Sequence, residues 1–335
     1  MAEPVVEMVR GTVVESQHRV HAAVVDAEGR IRASVGDPDL VTFIRSAAKP
    51  FQALPVISDG AMDRFGVTLE ELAVACGSHS GEARHVRVVT SLLQRIGLDA
   101  EALACGPHPP FHAASRRELA EAGLEPGRLH NACSGKHAAM LSVARVNGWS
   151  TAGYEHPEHP VQARMIAELE RWLGLPPEAM AMGTDNCAAV TVGVPLRSTA
   201  YGYARLAQAA RVGEREPTYV VGAMTSYPEM VGGEGRLCTE LMTVAAGRLF
   251  AKAGAEGGYC VGVPGAELGI AMKIEDGAQR AVGPAILAIL RELDLISEDD
   301  LGRLLHHAYP EVVDTRGEVV GQVRARVQVC PRGAG

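Results

Sequence analysis

Lysine is scarce in this 335-residue chain: of 32 Lys plus Arg residues only Lys49, Lys136, Lys252 and Lys273 are lysines. Arginine does not release its proton under ordinary conditions, whereas lysine becomes a base or a ligand once its surroundings permit. A lysine kept in such a chain is therefore a candidate for chemistry. Aromatic residues are also few, 4% against 47% hydrophobic residues overall, so alanine, valine and leucine must build the core. No uninterrupted apolar run approaches the ~18 residues of a membrane span. The acidic start, residues 1–7, lacks the basic region and apolar run of a signal peptide. A net charge of −8 argues against nucleic acid or an anionic membrane as partner. Seven scattered cysteines, an odd number without a secretion signal, predict reduced thiols and a cytoplasmic location. There is no Gly-x-Ser-x-Gly elbow, phosphate loop, dinucleotide fingerprint, internal repeat or low-complexity tract. At this length the chain can bury a large core, and residues 1–335 read as a single catalytic unit with a helix-rich part at roughly 46–175.

Three of the four lysines sit in motif-like surroundings. In Arg45-Ser46-Ala47-Ala48-Lys49-Pro50 a hydroxyl and an amine stand three residues apart at an expected helix start, where i and i+3 share a face. A serine becomes a nucleophile when a neighbouring base takes its proton, and a lysine can do so when its own proton has left. In Asn131-Ala132-Cys133-Ser134-Gly135-Lys136-His137 a thiol precedes a helix start, whose positive end favours thiolate. Gly183-Thr184-Asp185-Asn186-Cys187 offers a second thiol beside a carboxylate. Two thiolates with a nitrogen from Lys136 or His137 would suit tetrahedral zinc with an open position, although two buried small apolar side chains would read the same way. Cys76-Gly77-Ser78-His79-Ser80-Gly81-Glu82 is a glycine-flanked polar loop that could present donors to an oxyanion, or merely cap a helix. Lys252 lies in Lys252-Ala253-Gly254-Ala255-Glu256-Gly257, while Lys273, in a strand-like run, reads as a solvated charge. His108-Pro109-Pro110-Phe111-His112 has metal-like spacing, but its prolines forbid the helix that would align both rings.

Periodicity supplies the frame. Residues 20–25 and 30–35 predict a β-hairpin about Asp26–Gly29, with a strand at 8–15 before it. Capping-box patterns at Thr68–Glu71 and Ser115–Glu118 predict helix starts, and helical spacing covers 82–96, 134–146, 161–173 and 217–230. Strand character returns at 250–263 and 268–274, then helices at 281–293 and 298–307, and a last strand at 319–329. This order predicts an α+β unit: the two chain ends pair in one mainly antiparallel sheet packed with helices, beside a helix-rich lobe.

In combination and in their order along the chain, the five motifs at 45–50, 78–82, 131–137, 185–187 and 252–257 resemble the Rhizobium etli-type (class 3) L-asparaginases, the bacterial asparaginase II domain family, over about residues 9–329. The resemblance implies a fold related to serine β-lactamases and glutaminases, a homodimer, and hydrolysis of L-asparagine to L-aspartate and ammonia. It further implies two Ser-Lys pairs, Ser46 with Lys49 and Ser78 with Lys252, and zinc held by Cys133, Lys136 and Cys187. Asp185 would sit near the metal, with Arg45, His137 and Cys238 lining the pocket; Arg45 could fork onto a substrate carboxylate. The chain departs from β-lactamase relatives at Ala253, where they carry Thr or Ser. Two alternatives stay open: another Ser-Lys amidohydrolase, such as a glutaminase or a β-lactam-reactive enzyme, or a non-catalytic zinc-binding module.

Overall fold

The computed structural model describes residues 5–331, so the first four residues of the acidic start lie outside it. The described residues divide into two compact units, one comprising residues 5–47, 194–208 and 244–331, the other residues 48–193 and 209–243.

The first unit is built on an antiparallel sheet. Its longest strand, Val13–Asp26, changes character halfway. Residues 13–19 pair with the strand Val5–Arg10 and are mostly exposed. Residues 22–25 are all buried; since successive side chains face opposite ways, this half is covered on both sides. It pairs with Ile31–Val35 along one edge and Leu268–Ile274 along the other. The chain ends meet as expected: Val5–Arg10 pairs antiparallel with Val319–Arg326, from Val5 opposite Arg326 to Val9 opposite Gln322. Across that seam Glu7, 1% exposed, accepts hydrogen bonds from Gln17, Arg324 and Arg326. The helix Val282–Glu292 packs against strands Val5–Arg10, Gly258–Val263 and Val319–Arg326. Residues 196–208 lie so close to the strand Leu268–Ile274 that a Cβ at Gly269 would collide with the Ala200 carbonyl. Tyr203 stacks on Phe250 with ring centroids 5.6 Å apart and donates its hydroxyl to the Ala47 carbonyl at 2.8 Å.

Two expected strands are in fact hairpins. Residues 8–15 break at Gly11-Thr12, Gly11 taking φ +55°, and residues 250–263 break between Ala253 and Gly258, where Gly257 takes φ +75°. Both conformations favour glycine.

The helix-rich unit centres on three mutually packed helices, Lys49–Ser58, Leu69–Cys76 and Ser134–Val146. The first is buried from Lys49 to Ile57, with Phe51 set 6.4 Å from the Trp172 ring of the helix Pro160–Leu173. The second starts at the expected capping box: Thr68 Oγ1 accepts from Glu71 N at 3.2 Å, and Glu71 Oε2 accepts from Thr68 N at 2.8 Å. The box expected at Ser115 is not one; that helix, Ala113–Glu121, is capped by His112, whose ring accepts from Ser115 N. The helix expected over 217–230 is Arg215–Ser226, followed by a separate turn Pro228–Val231, because Pro228 cannot continue the ladder. A Cβ on Gly135 would collide with the Val74 carbonyl, so this glycine lets the start of one central helix touch the end of another. Among the described residues no helix is long and apolar enough to cross a membrane.

Candidate active site

The contact between Gly135 and Val74 brings two of the singled-out motifs together. Directly after Val74 the chain leaves its helix at Cys76 and enters the loop 77–82, which is pinned from several sides. Ser78 N donates to the Val231 carbonyl at 2.9 Å, and Ser80 Oγ donates to the Gly232 carbonyl at 2.8 Å. Gly77 has to be glycine here, since a Cβ would lie 2.6 Å from the Met230 carbonyl oxygen. His79 and His85 stack with centroids 4.8 Å apart, both fully buried. Gly81 N–H donates to His79 Nδ1, so the proton of that ring is on Nε2, 2.8 Å from Ser134 Oγ. Burial, then the charges of His85 and Lys49, hold His79 well below the usual imidazole range, in keeping with this neutral ring. His79, Ser80 and Glu82 thus face inward and fasten the loop.

Ser78 differs from them. Lys49 opens its helix fully buried, and its Nζ lies 2.9 Å from Ser78 Oγ, 2.6 Å from the Gly77 carbonyl and 3.3 Å from the Ala132 carbonyl. The amine is thus held by two backbone carbonyls and one hydroxyl. The hydroxyl that meets Lys49 is therefore Ser78, not the Ser46 three residues before it in the chain. Ser46 lies in the 3₁₀ turn Arg45–Ala48, which runs into the α-helix that opens at Lys49. Arg45 takes φ +49°, a conformation uncommon for residues other than glycine and often found where function demands it.

The Ala132 carbonyl that Lys49 reaches precedes Cys133, and through it the amine adjoins the thiol cluster. Lys136 Nζ lies 3.0 Å from Cys187 Sγ and 3.9 Å from Asp185 Oδ2. Cys187 occupies a tight turn between strands Ala181–Thr184 and Val190–Pro195, closed by Asp185 N to the Ala189 carbonyl at 2.8 Å. In that turn Ala188 takes φ +74°, a second strained position beside a candidate ligand. A hydrogen bond from the Cys133 thiol, helped by the Lys136 ammonium, outweighs burial and brings Cys187 down to about 5. The same hydrogen bond, with burial, pushes Cys133 up to about 12. Burial alone would lower Lys136, but Cys187, Cys133 and Asp185 together raise it above the ordinary lysine range. Two sulfurs sharing one proton, with an amine against one of them, form a donor set that suits a soft divalent cation once those protons leave.

His137 and Tyr154 continue the cluster, with Tyr154 OH 2.6 Å from His137 Nδ1. Burial, then the Lys136 charge, brings His137 to about 3. Cys105 is buried beside the other thiols and pushed up to about 12, by burial first and then by the charges of Cys133 and Cys187. Cys238 is buried near the start of the helix Leu237–Ala245. Among the described residues no two cysteines are joined by a disulfide.

In the sheet unit, Ser46 is half-buried in its 3₁₀ turn, and Lys252 is 1% exposed on the strand Phe250–Ala253, donating to the Ala253 carbonyl at 2.7 Å. Lys273 is not simply solvated; it donates to the carbonyls of Glu256 and Ile274, and burial lowers it. Sequence reasoning missed Tyr154, whose surroundings carry no motif, and the roles of the Gly77 and Ala132 carbonyls, which no side-chain pattern encodes. Gly135 was visible only as part of a motif and not as the spacer it proves to be.

Comparison with solved structures finds low-identity relatives. A crystal structure of Mglu is 18% identical over 84% of this chain, with a TM-score of 0.41, and this chain covers 63% of that one, less than two thirds of its length. An octameric penicillin-binding protein homologue from Pyrococcus abyssi is 13% identical, covering 93% of this chain and 85% of that one at a TM-score of 0.45. A β-lactamase from Mycobacterium bovis is 16% identical, covering 82% and 94% at a TM-score of 0.38. No protein of curated function matches significantly. The profile described as L-asparaginase II matches residues 6–325, nearly the whole chain. Because this match spans more than half of the chain, the chain belongs to the L-asparaginase II family.

Proposed function

We propose that the chain hydrolyses the side-chain amide of L-asparagine to L-aspartate and ammonia through a serine ester. The observation that carries this reading is the 2.9 Å contact between the buried Lys49 amine and Ser78 Oγ. With Lys49 neutral, its nitrogen takes the Ser78 proton as Oγ adds to the amide carbon. The same proton passes from Lys49 to the leaving nitrogen as the C–N bond breaks, releasing ammonia and leaving an aspartyl ester on Ser78. Water then adds to the ester, giving its proton to Lys49, and Ser78 departs with that proton. The Gly77 and Ala132 carbonyls hold the amine in place through both halves.

Zinc would be held by Cys133, Lys136 and Cys187, and when bound it supplies a fixed positive charge that orients and polarises a substrate oxygen. Asp185, 3.9 Å from the Lys136 amine, would then compensate that charge. The family resemblance also assigns Ser46 and Lys252 to the chemistry and the assembly to a homodimer; single alanine substitutions and light scattering test these in turn. The deciding experiment is ammonia release from L-asparagine by the wild type and by Ser78→Ala, with L-glutamine and a chromogenic β-lactam run in parallel. Turnover of asparagine that Ser78→Ala abolishes supports the proposal. Turnover of glutamine or the β-lactam alone moves it to another Ser-Lys substrate class, and full activity in Ser78→Ala removes Ser78 from the mechanism.

A further inference from the structure

Tyr154 lies in the loop joining the helices Ser134–Val146 and Pro160–Leu173 and is 1% exposed. It is anchored at both ends. Its carbonyl accepts from Gln162 Nε2 at 2.8 Å, and the other end of that amide, Oε1, accepts from Val190 N at 3.2 Å, near the turn that carries Cys187. Its hydroxyl has two neighbours, Ala104 N at 2.8 Å and His137 Nδ1 at 2.6 Å.

A phenol carries one hydrogen and two lone pairs. The Ala104 N–H can only donate, so it takes a lone pair of the Tyr154 oxygen. Were Nδ1 to donate into the second lone pair, the buried phenolic hydrogen would be left without an acceptor among the described residues, so Nδ1 accepts that hydrogen. An Nδ1 that accepts carries no proton, which puts the ring proton on Nε2. That Nε2–H is itself buried and has no hydrogen-bond partner among the described residues. Buried donors without an acceptor are rare in folded proteins and call for an explanation. His137 stands one helical turn after Cys133, on the same face, and directly after Lys136, so the unmatched donor belongs to the neighbourhood of the thiol and amine cluster.

We infer that Tyr154 is a positioning residue that locks His137 with its proton on Nε2, so that His137 offers a hydrogen bond to a carboxylate or carbonyl oxygen of the bound substrate. In that tautomer the imidazole has no lone pair left to bind a metal or to take a proton, and the nitrogen of the metal set is that of Lys136. The ligand class rests on the amide-hydrolase reading; the tautomer does not.

The test uses full-length protein labelled with ¹⁵N-histidine. In the wild type, His137 should show a pyridine-type Nδ1 and a pyrrole-type Nε2, and its Nε2–H signal should shift when L-aspartate is added. Tyr154→Phe, which cannot donate to Nδ1, should mix the tautomers and raise KM for L-asparagine about tenfold or more, with a smaller change in kcat. His137→Gln should recover at least tenfold of the kcat/KM that His137→Ala loses, because its carbonyl can accept from Tyr154 while its amide donates onward; bound zinc should be equal in all variants. A protonated Nδ1 in the wild type, loss of zinc in His137→Ala, or glutamine serving no better than alanine overturns the inference. If Tyr154→Phe does not fold, the wild-type tautomer and the His137 pair decide the matter alone. If no asparagine is hydrolysed yet the tautomer holds and L-aspartate shifts the signal, the proposed reaction fails and this assignment stands; an unmoved signal in an active enzyme overturns the assignment alone.

Discussion

Replacing Gly135 with alanine tests how the site is assembled. The new methyl would collide with the Val74 carbonyl oxygen and lie 2.7 Å from the Val74 carbonyl carbon and 3.2 Å from Ala75 N. All three are backbone atoms, so no side chain can swing away; the start of one central helix must part from the end of the other by roughly 1 Å. Overpacking of this kind costs about 1–3 kcal/mol, and alanine's better helix propensity returns at most about 1 kcal/mol. The net loss of about 1–2 kcal/mol should lower Tm by several degrees, at about 2–4 °C per kcal/mol for domains of 150–250 residues. Activity should fall further than stability implies, because the shift separates Gly77 and Ser78 from Ala132, and Lys49 bonds to all three. A displacement of about 1 Å at a catalytic group can cost about 10²-fold in rate. Gly222→Ala is the control: it lies inside the helix Arg215–Ser226 with nothing within 4 Å of its added methyl. There the same substitution should stabilise by about 0.5–1 kcal/mol and leave turnover alone. Thermal denaturation and ammonia release on the two variants decide it; similar behaviour of both would refute the packing argument.

Lys49→Met should reduce turnover by about 10²–10⁴-fold, the usual worth of a general base. It should still fold: two buried carbonyls lose their donor at about 1–3 kcal/mol each, partly offset because methionine fills the same space without burying a polar nitrogen, and circular dichroism checks this. Purified wild type should carry one zinc per chain by atomic absorption, and Cys187→Ala should carry none while keeping its helical signal. Glu7→Gln probes the seam between the chain ends. Burial alone would raise the Glu7 carboxyl, but hydrogen bonds from Arg324, Arg326 and Gln17 together hold it below 4.5. A carboxylate lowered on folding contributes stability that is complete above its unfolded value and lost as pH falls through the folded one. The stability gap between wild type and variant, about 1–3 kcal/mol, should be full at pH 7 and shrink only as pH falls below 4.5 toward the lowered folded value; a gap independent of pH would contradict it.

Much of the architecture was legible in the sequence. Residues 134–146 form the helix their spacing predicts, Thr68 and Glu71 make their box, and the terminal strands pair. Local patterning sufficed because each of these rests on neighbours within one turn or on alternation along one strand. It failed where a single residue overrode the period, as at Gly11, Gly257 and Pro228. The helix Leu196–Arg211 and the strands Ala181–Thr184 and Val190–Pro195 went unread for want of start signals. The candidate residues were singled out by the rarity of lysine and by cysteine-bearing motifs, but not their partners. Lys49 reaches residues 28, 29 and 83 positions away, and no helical period encodes that.

The central claim is that Lys49 serves Ser78, and the most direct measurement is the site of the ester. The enzyme is mixed with L-asparagine, quenched in acid within milliseconds, weighed intact and digested for peptide mapping. The account predicts an aspartyl adduct on the peptide carrying Ser78 that is absent in Ser78→Ala and in Lys49→Met. An adduct on Ser46 that persists in Ser78→Ala, or turnover with no adduct on any serine, would contradict it.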